Sequence, residues 1–170
     1  MKNILILDSA DIKQKTRRIA YQIAEDNYDE KEIIMIGIVP NGFEYAKQLK
    51  AEVEGIQNLP GVNITLVELS LNKSKPLEHE IKLALGKLSL NGKTVIVVDD
   101  VANTGKTLYY ALKPVMEFSP KKVQAAVLVD RQHKLFPVTP DFVGLSLSTT
   151  LKEQIVVKFD SKGKGNAYLK

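Results

Sequence analysis

The chain of 170 residues contains no cysteine. That removes disulfide bonding, thiol catalysis and cysteine-based metal centres together, and it fits a cytoplasmic setting. Histidine is almost as scarce, with only His79 and His133, so a histidine-rich metal centre is excluded as well. No apolar run approaches the ~18 residues of a membrane span. At the N-terminus only Ile4–Leu7 follows Lys2 before Asp8, too short a run for a signal peptide. Repeats and low-complexity segments are missing. Glycine is sparse where a dinucleotide-binding loop would need it, since Gly105 is the only one between Gly92 and Gly144. The net charge of +4 suits an anionic ligand but is too small to argue for nucleic acid. What remains is an ordinary soluble globular composition, long enough for one domain that buries about 70% of its extended surface.

The stretch Thr94 to Thr107 carries the chemistry. Val95–Val98 is a run of four β-branched residues, the pattern of a parallel strand covered on both faces. Asp99 and Asp100 follow where that strand should emerge. Thr104-Gly105-Lys106-Thr107 comes next, and Leu108, Ala111, Leu112 and Val115 then recur at helical spacing. Amides at a helix start are unpaired and carry the positive end of the dipole, so they favour phosphate. Gly105 permits a tight turn, and Thr104 and Thr107 add hydroxyl donors. Paired carboxylates suit sugar hydroxyls or a hydrated Mg²⁺. Phosphate, vicinal hydroxyls and metal together describe a phosphorylated ribose. A Walker loop is ruled out because Asp100 stands where its first glycine belongs.

Val97-Val98-Asp99-Asp100-Val101-Ala102-Asn103-Thr104-Gly105-Lys106-Thr107 resembles the motif of type I phosphoribosyltransferases that binds phosphoribosyl diphosphate (PRPP). The resemblance implies that Asp99 and Asp100 hold the ribose 2′- and 3′-hydroxyls and that Ala102, Asn103, Thr104, Gly105, Lys106 and Thr107 cradle the 5′-phosphate. It also implies Mg²⁺ as cofactor, carried on PRPP near Asp99 and Asp100 with no direct protein site.

Elsewhere the pattern is read in chain order. Asp8 or Ser9 caps a helix to about Asn27, with Ile12, Thr16, Ile19, Ala20 and Ile23 on one face. Ile33–Val39 is a second covered strand, ending in Pro40-Asn41-Gly42 before a helix over Phe43–Val53. By resemblance Pro40, Asn41 and Gly42 form the pyrophosphate loop, without the arginine that pyrimidine members carry. Pro60-Gly61 reads as a turn and Asn63–Leu69 as a third strand. By position the polar segment Ser70–Glu80 resembles the family's mobile lid; Lys73 or Lys75 could supply its charge, without a guanidinium's bidentate geometry, and Lys73 is the candidate catalytic cation. Val123–Val129 is a further strand. Val127–Pro137 resembles the Val-Asp-Arg-Gly-His-Arg-Glu-Leu-Pro segment of the PyrR group of uracil phosphoribosyltransferases and pyrimidine-operon regulators, and Pro140–Gly144 with Ser148-Thr149 is similar to that group's next segment; together they imply base contacts from Asp130, Arg131, Phe142 and Val143.

The resemblance spans residues 3–160. It implies a doubly wound, mostly parallel sheet flanked by helices with a small hood, in one domain over 1–160. A polar, glycine-bearing tail over 161–170 is expected to be loose. The implied reaction moves a phosphoribosyl group from PRPP to a nucleobase, foremost uracil, in a homodimer or homotetramer. Purine enzymes carry an acid at the position of Asn103 and a lysine at that of Asp130, so the purine branch is disfavoured. A second possibility is a nucleotide-sensing RNA binder, since Arg17-Arg18-Ile19-Ala20-Tyr21 partly matches the Thr-Arg-Ile-Ala-His of the RNA-contacting helix. Arg17 and Arg18 are its candidate contacts.

Overall fold

The computed structural model describes residues 4–57, 61–150, 153–161 and 163–170, so Pro60 of the expected turn lies outside the described residues. The central sheet contains β2 (Glu32–Ile38), β3 (Asn63–Ser70), β5 (Thr94–Ala102), β6 (Lys122–Arg131) and β7 (Phe142–Leu147), all parallel, with the two-residue β4 (Lys82–Leu83) antiparallel at one edge. Its spatial order is β4-β3-β2-β5-β6-β7. The chain moves outward from β2 to β3, then returns across β2 to β5. The winding direction therefore reverses between β2 and β5, and their carboxyl ends open a crevice there.

Every residue of β5 is buried, as its β-branched run predicts. On one face lie α1 (Ser9–Asp26) and α2 (Asn41–Glu54), packed through Ile19, Ile23 and Leu49 against Ile33, Met35, Ile96 and Val98. On the other face α3 (Lys106–Val115) brings Leu108, Ala111 and Val115 onto Ile34, Ile36, Val95 and Val97. Asp8 caps α1 by accepting from the Ala10 and Asp11 amides at 2.8 and 2.9 Å, while Asp11 returns the bond to the Asp8 amide. That is a complete capping box, so the helix begins where the sequence places it.

A second sheet forms the hood from β1 (Ile4–Leu7), β8 (Ile155–Phe159) and β9 (Gly165–Leu169), antiparallel in the order β1-β9-β8. The tail is thus not loose: Gly165–Leu169 is the middle strand of the hood. Its sequence looks too polar for a strand because only one side is covered. Ala167 is fully buried, whereas Asn166 and Tyr168 alternate outward. Gly165 admits the Phe159 ring, which would stand 2.6 Å from any Cβ there.

Candidate active site

A cleft of about 620 Å³ lies at the reversal point, bounded by the ends of β2 and β5, the segment 73–74 and the hood strand β8. Asp100 lines the cleft and is 7% exposed, whereas Asp99 lies behind the lining at 1%. The Lys73 ammonium lies 2.9 Å from Asp99 Oδ1 and 3.6 Å from Asp100 Oδ1, so the segment after β3 reaches the acidic pair. Asp99 Oδ1 also accepts the Asp100 amide at 3.0 Å, while Asp99 Oδ2 is buried without a partner. Burial, reinforced by the neighbouring Asp100 charge, pushes the Asp99 carboxyl up to about 8 even though Lys73 pulls the other way. Partial burial opposes the charge on Lys73, but the two carboxylates outweigh it and hold the ammonium above its ordinary range. The Lys106 ammonium donates to the Ser74 carbonyl at 2.8 Å and ties the same segment to α3.

Opposite the acids, residues 102–107 form the turn into α3. Gly105 occupies the N-cap position at φ +82°, and no side chain caps the helix. Its first amides lack intrahelical acceptors, and of these the Lys106 amide makes one long bond, to Thr104 Oγ1 at 3.4 Å. Lys134 lies beneath the turn: its ammonium meets the carbonyls of Ala102 at 3.4 Å, Asn103 at 3.3 Å and Arg131 at 2.9 Å, and pairs with the Asp130 carboxylate. The amides of Leu135 and Phe136 both donate to Thr104 O, at 2.9 and 3.1 Å.

The loop after β2 enters from the side. Asn41 Nδ2 donates to Asp100 Oδ2 and to Val157 O, both at 3.0 Å, and so links the acidic pair to the hood. Gly42 packs so closely on the end of β5 that a Cβ would stand 2.7 Å from Val98 O and 2.9 Å from the Asp99 Cα. No larger residue lets α2 start there.

Of the expected base contacts, only Arg131 reaches the cleft. Its guanidinium donates to Thr149 Oγ1 at 2.6 Å and to Thr150 O at 2.7 Å. Asp130 lies outside the lining and faces Lys134 instead. Phe142 and Val143 are also elsewhere. They pair with Ala126 and Val127, four positions before the residues of β7 that neighbour Asp130 and Arg131, and they pack into the two apolar cores. Their apolar character serves packing at the strand's entry, not recognition at its exit. Arg17 and Arg18 are both exposed on α1, and Arg18 in addition donates to Val143 O at 2.8 Å and Gly144 O at 2.6 Å.

The sequence did not mark Lys134 or the hood edge Gln154–Val157 as parts of the site. A lysine four residues after Asp130 is visible, but that spacing brings side chains together only if the chain turns back. The hood edge lines the cleft as part of β8, where no motif marks it. Among the described residues no three acidic, histidine or cysteine side chains converge on a possible metal position. Asp100 presents hard carboxylate oxygens to the cleft, which fits a hydrated Mg²⁺ brought in by its ligand.

Residues 5–161 match the family described as the phosphoribosyl transferase domain. The chain is 36% identical over 165 residues to the "Bifunctional protein PyrR" of Geobacter sulfurreducens, covering 94% of this chain and 93% of that protein. It is equally similar, over 160 residues, to the protein of that name from Halalkalibacterium halodurans, covering 91% of this chain and 89% of that protein. Among solved structures, the hypoxanthine phosphoribosyltransferase of Trypanosoma cruzi superposes with a TM-score of 0.75 at 17% identity, covering 98% of this chain and 96% of that one. A hypoxanthine-guanine phosphoribosyltransferase from Bacillus anthracis superposes at 0.72 with 22% identity, covering 92% and 87%. At these identities the two structures speak for the fold alone.

Proposed function

The chain belongs to the phosphoribosyl transferase family, and from that membership we propose that it transfers a 5-phosphoribosyl group from PRPP to uracil, giving UMP and pyrophosphate. One observation carries the reading. Asp100, backed by the buried Asp99, and an uncapped turn line a single cleft at the sheet's reversal point. In this reading the turn amides and the Thr104 and Thr107 hydroxyls hold the 5′-phosphate. Asp99 and Asp100 accept the ribose hydroxyls and thereby fix C1 for attack. The bond from C1 to the pyrophosphate oxygen breaks as the base nitrogen bonds to C1 and releases its proton to solvent, so charge accumulates on the leaving group. Lys73, exchanging its carboxylates for the substrate, meets that charge together with the Asn41 and Gly42 amides. Mg²⁺, carried on PRPP, offsets the same charge. Arg131 and the edge of β8 surround the base. No protein nucleophile is required.

The test incubates the protein with PRPP, Mg²⁺ and a panel of bases, and follows nucleotide and pyrophosphate by chromatography. UMP should form, and Asp100→Asn should reduce turnover or PRPP affinity sharply. Normal kinetics in that variant would overturn the reading. We place the protein in the cytoplasm as a homodimer or homotetramer; a monomer by size-exclusion chromatography with light scattering rejects the assembly. Among the described residues no helix is long and apolar enough to cross a membrane.

A second reading is favoured by the word "bifunctional" in the relatives' name together with the exposed Arg17 on α1. It makes the protein a pyrimidine-operon regulator that also binds RNA. Binding to such a leader should then weaken steeply with salt and with Arg17→Ala. Salt-independent binding, or none, removes this reading.

A further inference from the structure

Four consecutive carbonyls, from Ala102 to Gly105, all have acceptor roles outside the cleft. Ala102 O and Asn103 O meet the Lys134 ammonium, and Thr104 O receives two amides from the segment after it. Gly105 O starts α3 by accepting from Tyr109 at 2.9 Å. In a trans peptide the carbonyl and the following N–H point in opposite directions. Drawing the first three carbonyls down therefore turns the Asn103, Thr104 and Gly105 amides up. Without a partner below, the same peptides could flip and present oxygens to an anion.

We propose that Lys134 is a positioning residue for PRPP: oriented by Asp130, its ammonium holds the carbonyls of residues 102 and 103 away from the ligand and so aims the turn's amides at the 5′-phosphate. The inference rests on the phosphoribosyl-transfer reading above. Its geometry is specific. Asp130 lies beside Ala102 in the β5–β6 register, with a side chain only 10% exposed. Lys134 is 22% exposed and its three ammonium protons face four acceptors. Asp130 fixes the ammonium's place, because a buried carboxylate is the strongest of those acceptors. A neutral side chain at 134 leaves two carbonyls without a donor and Asp130 without its cation, and the turn is then free to rotate. The segment 134–138 also confines Gly105, where a Cβ would stand 3.2 Å from Phe136 O and 3.4 Å from Val138 O. The two halves of the support act on adjacent peptides.

The experiment compares parent, Lys134→Met and Asp130→Asn in steady-state kinetics with uracil, and in hydrogen exchange of the segment 102–108 without ligand. Lys134→Met should raise KM for PRPP about tenfold while KM for uracil stays within about twofold. Amide exchange in 102–108 should quicken by a similar factor with the core strands unchanged. Asp130→Asn should move both readouts in the same direction by less, and it decides the matter if Lys134→Met does not fold. Should either readout remain at the parent value, or both KM values rise together, the positioning role is overturned. A parent that neither binds nor turns over PRPP instead removes the functional reading beneath it.

Discussion

Asp99 ties stability to pH in a direction opposite to that of a normal surface carboxylate. Its ordinary value of 3.8 is raised in the folded protein to about 8, first by burial and then by Asp100. Between those values the native state retains a proton that the unfolded chain has lost. Folding stability should therefore fall as pH rises from about 4 to about 8, and level off above that. Each unit is worth about 1.4 kcal/mol, so raising the pH from 6 to 9 should remove roughly 3 kcal/mol through this one group. Asp99→Asn cannot titrate, and subtracting its stability cancels the remaining ionisable groups to first order. The assay is urea unfolding of both proteins, without ligand, at pH 6 and pH 9. The parent should lose about 3 kcal/mol relative to the variant across that interval. Lys73→Met should shift the affected window upward, because the cation that partly offsets the burial is gone. A difference between parent and Asp99→Asn that stays constant within about 0.5 kcal/mol would refute the reasoning. Asp99 would then ionise in its ordinary range, with Lys73 offsetting the whole effect of burial and of Asp100.

Three more outcomes follow from the geometry. Gly105→Ala places a side chain at φ +82° and against Phe136 O, so urea unfolding should show a loss of about 1–3 kcal/mol and calorimetry a weaker PRPP complex. Arg18→Ala should cost about 1–2 kcal/mol by freeing the carbonyls of Val143 and Gly144, whereas Arg17→Ala should stay within about 0.5 kcal/mol; equal effects on thermal unfolding contradict this division. Asn41→Ala removes the bridge from Asp100 to the hood and should raise KM for PRPP about tenfold, as expected for one hydrogen bond to a charged acceptor; an unchanged KM in initial-rate measurements makes that bridge incidental.

Arg18 illustrates how a helical pattern can place a residue correctly and say nothing of its partners within the fold. The apolar stripe of α1 predicts its position beside the stripe, but the acceptors it meets belong to β7, 125 residues further on. Phe142 and Val143 follow the same logic in reverse. They lie near the family's base-binding segment in sequence, yet the parallel register of β6 and β7 puts them at the entry of the strand, away from the cleft. The hood strand β9 escaped recognition because one-sided burial in a short antiparallel sheet needs only a glycine and an alanine facing inward, and those residues carry little local signal.

The amino-acid order alone determined the parts governed by neighbours in the chain: the β-branched run of β5, the capping box of α1, the acidic pair and the glycine turn that follows it. Each depends on interactions within a few residues, so its physics is complete before the chain folds. Tertiary structure decided which of those parts share a cleft and what lies behind them. It brought Lys73 to Asp99, joined Asn41 to the hood, and set Lys134 under the carbonyls of residues 102 and 103. Those contacts depend on strand order, register and the direction in which loops turn back, and long-range geometry of that kind leaves no periodicity for a sequence to display.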